Sequence, residues 1–394
     1  MSFNKQIKCL FNPSATSFDS CGFNIVDAKI AQSVSRFHKS LPGYTPTPLV
    51  SLSNLANFLN VKNIFIKDES QRFELNAFKV LGASFAMANV LSKFLGINDT
   101  ELTMETLLAR KDEFSHLTFV TATDGNHGRA VAWAAQKFGC NAVVFMPRGS
   151  SAARLSAIQE YGAEASILDC NYDDSVLFAE KKAKENDWIL IQDTAWAGYE
   201  EIPIHIMQGY FSLLTEILSQ APKVWPTHIF VQTGVGSLAA AILAHVHSFS
   251  DRPKPVFATV EAHGAPCFYN SMQTGDGNPH KVCGDLNTIM AGLACGLPST
   301  TAWEILSAGS DAFISCDDDI AKSGMRILGN PLGNDTRIVS GESGAVSLGL
   351  VYTLLYNDAY QDIKEELKLD KNSKILIFST EGDTDPDHYR QIVW

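Results

Sequence analysis

Short apolar runs alternate with longer stretches of helical periodicity along the chain. The runs at 63–67, 117–121, 142–146, 165–168, 189–192, 229–232, 256–260, 313–315 and 375–378 read as strands. Many are continuously apolar, the pattern of parallel strands covered on both faces. Between them, 76–94, 128–138, 152–161, 172–185, 203–218, 237–247, 317–328 and 344–356 read as helices. This alternation predicts an α/β fold of open, mostly parallel twisted sheets flanked by helices. One stretch, 264–300, breaks the pattern with Gly, Asn, Pro and Asp around Gly275-Asp276-Gly277-Asn278-Pro279. It is either a lid or binding loop, or a plain surface connection. The long apolar stretch 228–246 is interrupted by Gln232, Thr233, Gly234, Gly236 and Ser237, so it reads as strand, glycine turn and helix rather than a membrane span.

With 394 residues, 45% of them hydrophobic, the chain can bury a sizeable core in two domains. The formal net charge of -12, with no run of Lys or Arg, argues against a nucleic-acid partner. The segment 1–20 has no apolar core, so no secretory signal and a cytoplasmic setting are expected. Eight Cys lack CxxC spacing, which argues against a zinc ribbon, and no metal site is expected. Cys267 and Cys295 share the glycine-rich region, but spacing alone does not pair them.

Four motifs stand where strands run out: Leu75-Asn76-Ala77-Phe78-Lys79, Thr123-Asp124-Gly125-Asn126-His127-Gly128, Gln192-Asp193-Thr194 and Thr233-Gly234-Val235-Gly236-Ser237. Together they supply an amine, two carboxylates, an amide and a glycine cradle. The cradle precedes a helix, so its backbone N–H groups and the helix N-terminus suit a phosphate. A lysine that can form an imine completes the requirements of pyridoxal 5'-phosphate. Each residue also has a plainer reading. Lys79 fits a solvated first-turn lysine, Asp124 a helix N-cap, Asp193 a strand-end turn residue, and Gly236 a close strand–helix contact. His127 suits orienting its loop better than catalysis. Gly234-Val235-Gly236-Ser237-Leu238-Ala239 also matches a dinucleotide-binding GxGxxA, with Glu261 where a ribose-binding acid would fall. That nicotinamide reading leaves Lys79 and the Asp-Gly-Asn-His loop without a task.

The motifs resemble those of fold-type II pyridoxal-phosphate enzymes, the tryptophan synthase β group. Asp124 stands where the group's dehydratases carry a serine. With Asn76-Ala77-Phe78-Lys79, with 192–199, and with Gly341-Glu342-Ser343-Gly344-Ala345 and Phe378-Ser379-Thr380-Glu381-Gly382-Asp383, it makes the chain resemble the diaminopropionate ammonia-lyases over nearly its whole length. The resemblance implies a large cofactor-binding domain, 1–82 and 205–394, and an inserted small domain, 83–204. It implies a Lys79 imine, a phosphate on Gly234, Val235, Gly236 and Ser237, and Asn126 at the ring oxygen. Ser379 or adjacent Thr380 is placed beside the pyridine nitrogen. Thr123, Asp124, Gly125, Asn126, His127 and Asp193 are placed around a small amino-acid substrate. A homodimer is also implied.

The implied reaction is α,β-elimination of 2,3-diaminopropionate to pyruvate and two ammonia, through loss of the Cα proton and an aminoacrylate. Such a substrate carries a second cation at Cβ, and a carboxylate such as Asp193 is the direct counterpart. Asp124, on the face opposite Lys79, suits a second base for the opposite isomer. The alternatives are a serine or threonine dehydratase, a nicotinamide-dependent oxidoreductase, and a ligand sensor that kept the fold.

Overall fold

The computed structural model describes residues 6–15, 25–123 and 125–394. Asp124 lies outside the described residues. The strands are β1 (Ile7–Phe11), β2 (Leu49–Ser51), β3 (Asn63–Asp68), β4 (Thr118–Ala122), β5 (Asn141–Met146), β6 (Glu164–Ile167), β7 (Ile189–Leu190), β8 (His228–Gln232), β9 (Val256–Ala262), β10 (Ala312–Cys316) and β11 (Lys374–Ser379). All nine expected runs form strands. The two that patterning missed, β1 and β2, are edge strands, and each pairs antiparallel, with β10 and β3 respectively.

A seven-stranded sheet has the order β1-β10-β9-β8-β11-β3-β2, and a four-stranded sheet the order β6-β5-β4-β7. Apart from the two edge pairs, every pairing in both sheets is parallel. The strands β8, β10 and β11 are buried along their length or nearly so, which explains their unbroken apolar runs. The chain leaves β8 for one neighbour, β9, while its other neighbour, β11, arrives from the far end of the sequence. The winding direction therefore reverses at β8, and in open α/β sheets the crevice beyond such a strand is where ligands bind.

The expected helix 203–218 is broken into Glu201–Gly209 and Phe211–Gln220. At the break, Gly209 presses on the helix Lys79–Leu95. A Cβ on Gly209 would run into the Leu81 carbonyl oxygen and lie 2.8 Å from Gly82 Cα. Gly82 reciprocates, since a Cβ there would lie 2.7 Å from Ile206 and from the Tyr210 ring. The helix expected from 76 starts instead at Lys79, because Asn76 takes a left-handed φ of 54°. Periodicity also missed the helices Ala28–Ser40, Cys267–Thr274, Thr300–Gly309 and Pro386–Val393. The segment 264–300 is thus irregular only in part.

Glu261 does not face a crevice. Its carboxylate oxygens accept from the N–H groups of Phe268 and Tyr269, both at 2.7 Å, and so hold the start of the Cys267–Thr274 helix. Asp317 caps the helix Asp318–Gly329 by accepting from Asp319 N–H, as an acidic helix start suggests. Among the described residues no His, Cys, Asp and Glu cluster suits a metal ion, and no helix is long and apolar enough to cross a membrane.

Because Gly209 meets backbone rather than a movable side chain, Gly209→Ala should destabilise the protein by roughly 1–3 kcal/mol. A thermal midpoint unchanged from the parent would refute this account of the helix crossing.

Candidate active site

The four motifs converge on one cavity of about 660 Å³ lined by Lys79, Thr123, Asn126, His127, Asp193, the 233–237 turn and Thr380, among others. The lysine segment is held by the exit of β11. Phe78 N–H donates to the Thr380 carbonyl at 3.1 Å, and Gly382 N–H donates to the Asn76 carbonyl at 2.8 Å. Lys79, the first residue of its helix, thereby projects into the cavity and pairs with Asp193 Oδ2.

Asp193 follows β7 and is buried. Its neighbour Gln192 is locked to β4, accepting from Ala122 N–H at 3.0 Å and donating to the Ala122 carbonyl at 2.9 Å. The Ser237 hydroxyl donates to the Asp193 carbonyl at 2.6 Å. Burial alone would raise the Asp193 pKa. The Lys79 ammonium and then the His127 imidazole outweigh it and hold the carboxyl down at about 2. His127 Nε2 lies 2.8 Å from the Ile191 carbonyl, and Nδ1 is 4.0 Å from Asp193 Oδ2. That is the geometry of a residue that orients the loop.

At the other wall, Gly236 has φ of 99° and begins the turn into the buried helix Ser237–His247. A Cβ on Gly236 would overlap the Phe268 ring and lie 2.8 Å from Ala302 Cβ. The Ser237 hydroxyl is committed to Asp193, which leaves its backbone N–H as the donor it could offer a ligand at the turn. Cys267 and Cys295 both lie beside Gly234, and no disulfide joins them.

The two hydroxyl candidates separate clearly. Ser379 is fully buried, bonds Ser340 Oγ at 2.9 Å, and does not line the cavity. Thr380 lines it. Its Oγ1 accepts from Gln232 Nε2 at 2.8 Å, which leaves the hydroxyl proton to donate. Thr123 shapes the Asp-Gly-Asn-His loop by accepting from Gly125 N–H at 3.0 Å. Asn126 donates to Glu381 Oε2 at 2.6 Å, and Glu381 Oε1 accepts from Ser343 N–H at 3.0 Å.

Glu381 was missed by sequence reasoning as a site residue. It is buried, and burial followed by the Glu342 charge raises its pKa. A glutamate two residues after a buried strand was the available signal. Arg154, also in the lining, carried no signal, since an arginine in an amphipathic helix reads as surface.

Residues 40–369 match the family model for pyridoxal-phosphate dependent enzymes. The chain is 45% identical to the diaminopropionate ammonia-lyase of Salmonella typhimurium, over 98% of both chains. The chain belongs to the pyridoxal-phosphate dependent enzymes, in their diaminopropionate ammonia-lyase group. Among solved structures, it resembles the selenomethionine-incorporated holo diaminopropionate ammonia-lyase of Escherichia coli, with a TM-score of 0.92 and 44% identity over 100% of this chain and 97% of that one. The same Escherichia coli enzyme in complex with an aminoacrylate-PLP azomethine reaction intermediate superposes with a TM-score of 0.89, at 43% identity over 98% and 97% of the two chains.

The cofactor of this lyase is pyridoxal phosphate, and the residues present fit it. A glycine turn in the cavity lining precedes a buried helix N-terminus, as a bound phosphate requires. Thr380 offers a hydroxyl proton, and the buried Ser343 Oγ in the cavity wall has no hydrogen-bond partner among the described residues.

Two outcomes follow. Gly236→Ala should weaken retention of pyridoxal phosphate more than tenfold by forcing the turn away from Phe268 and Ala302 and so displacing its backbone N–H groups, as read by absorbance after dialysis; full retention would remove Gly236 from the site. The depressed Asp193 pKa means its pairing stabilises the fold fully above the ordinary 3.8 and loses that effect as pH falls through about 2. In Asp193→Asn the Lys79 amine should lose its proton at lower pH than in the parent. The pH profile of amine labelling in cofactor-free protein measures this, and identical profiles would show that the ion pair has no influence.

Proposed function

We propose that this enzyme eliminates ammonia from 2,3-diaminopropionate, using Lys79 and Asp193 as its central pair, to give pyruvate and a second ammonia. The observation that carries the reading is the pair of part-buried Lys79 with buried Asp193 on the cavity wall facing a glycine cradle. When bound, pyridoxal phosphate supplies an electron sink for the pair left on the substrate Cα.

Lys79 provides the nitrogen that holds the cofactor and, once released, a base for the Cα proton. Asp193 is at the right place to pair with whichever ammonium occupies its side of the cavity: that of Lys79 in the cofactor-free protein, and the β-ammonium of the substrate during turnover. Keeping the β-nitrogen protonated lets it depart as neutral ammonia. The Gly234–Ser237 turn holds phosphate through backbone N–H groups. Thr380 donates its hydroxyl to the ring nitrogen, which stabilises the neutral pyridine form. Asn126, steadied by Glu381, serves the ring oxygen. His127 holds the loop that Thr123 and Gly125 shape.

Asp124, a carboxylate where dehydratases carry serine, acts as the second base and takes the proton from the isomer that Lys79 does not face. The division into a large domain, 1–82 and 205–394, and a small one, 83–204, belongs to the same proposal. The confinement of the four-stranded sheet to Thr118–Leu190 supports it. Assembly as a homodimer and a cytoplasmic setting rest on the resemblance and on the sequence composition.

Borohydride reduction of the holoenzyme followed by peptide mass spectrometry should fix the cofactor on Lys79, and Lys79→Ala should abolish turnover. An adduct on another lysine would overturn the assignment. Pyruvate release should be much faster from diaminopropionate than from serine; the reverse order would make the enzyme a dehydratase. Asp124→Asn should reduce turnover of one isomer far more than the other, whereas equal losses would reject two-base chemistry.

A further inference from the structure

Arg154 lines the cavity and takes no part in the arrangement above. It belongs to the helix Ala152–Gln159, whose cap Ser151 accepts from Arg154 N–H at 3.3 Å. Its aliphatic stem lies on Gly125. A Cβ placed on Gly125 would sit 3.0 Å from Arg154 Cδ, 3.4 Å from Cγ and 3.5 Å from Cβ. The guanidinium therefore extends from the N-terminus of the helix Asn126–Phe138, where first-turn N–H groups have no partner within the helix.

The head of Arg154 is unusual in its surroundings. Its Nε is buried without a hydrogen-bond partner among the described residues. Its charge acts on the Glu381 carboxylate, but the hydrogen-bonding groups around it are engaged elsewhere. Arg148 pairs with Asp169, and Lys79 with Asp193. Glu381 uses its two oxygens on Asn126 and on Ser343 N–H. A buried guanidinium N–H without an acceptor is costly, and an anion arriving with a ligand would relieve it.

We propose that Arg154 is a substrate-binding residue that clamps the α-carboxylate of the substrate against the first turn of the Asn126–Phe138 helix. This rests on the reading that the cavity takes a 2-amino acid. A planar guanidinium suits a carboxylate through two parallel hydrogen bonds, and the helix N-terminus adds donors of the same polarity. The clamp also solves a selectivity problem. A site that recognised only two amines, through the cofactor and Asp193, would accept 1,2-diaminoethane as readily as a diamino acid. Arg154 makes the carboxylate a requirement.

The test uses holoenzyme and two unreactive probes, alanine and 1,2-diaminoethane, with binding read from the change in cofactor absorbance. Arg154→Met keeps the stem on Gly125 and removes the charge; Arg154→Lys keeps a charge without the planar fork. For Arg154→Met the dissociation constant for alanine should rise roughly 10- to 100-fold, while that for 1,2-diaminoethane changes little. KM for diaminopropionate should rise more than kcat falls, and Arg154→Lys should recover part of the loss. Equal weakening of both probes would mean that Arg154 only packs the loop, and no weakening of either would mean that it does not touch the carboxylate; each overturns the proposal. A parent enzyme with cofactor on Lys79 but no spectral response to any 2-amino acid would instead remove the amino-acid reading itself, and the clamp with it.

Discussion

The pairing of Lys79 with Asp193 is the constraint around which the molecule is arranged. One partner opens a helix that follows the seven-stranded sheet, and the other follows the last strand of the four-stranded sheet. Asp193 is buried and Lys79 partly so; taking a charge out of water costs several kcal/mol, and only close, well-satisfied geometry offsets it. The carboxyl ends of the two sheets must therefore face one another. The fold meets that demand by tying Asp193 down from several directions: Gln192 to β4, Ser237 to its carbonyl, and His127 to one side.

The cavity is arranged electrostatically as well as sterically. The glycine turn and its buried helix favour an anion at one wall. Asp193 favours a cation at its side, and Arg154 stands where the helix Asn126–Phe138 also favours an anion. Glu381 joins these parts, because it follows β11 yet holds Asn126 from the element after β4. The same exit from β11 fixes the backbone of Phe78 and carries Thr380. A displacement of β11 would consequently move the lysine, the hydroxyl and the amide together, which couples the precision of the site to the packing of one buried strand.

Legibility in the sequence followed how local each signal was. The nine expected strands were readable because each is a short, largely apolar run, several of them continuously so. The edge strands β1 and β2 were not, since their pairing depends on partners in β10 and β3 remote in sequence. The helix 203–218 looked continuous because nothing local announces that Gly209 must approach Leu81. In the site, Lys79, Asn126 and the glycine turn were recognisable from motif and resemblance. Glu381 and Arg154 were not, because their importance lies in contacts across 255 positions, as for Glu381 with Asn126, or in a partner absent from the chain.

By itself the sequence determined the α/β class, the parallel strands and the amine, carboxylate and cradle set, because apolar periodicity and motif chemistry are properties of neighbouring residues. Only the tertiary structure decided that Thr380 and not Ser379 faces the cavity, because successive residues at the end of a strand look alike in sequence but point to opposite sides. It likewise decided that Glu261 serves a helix start rather than a ligand, since a carboxylate goes wherever the nearest unsatisfied N–H groups are brought by folding.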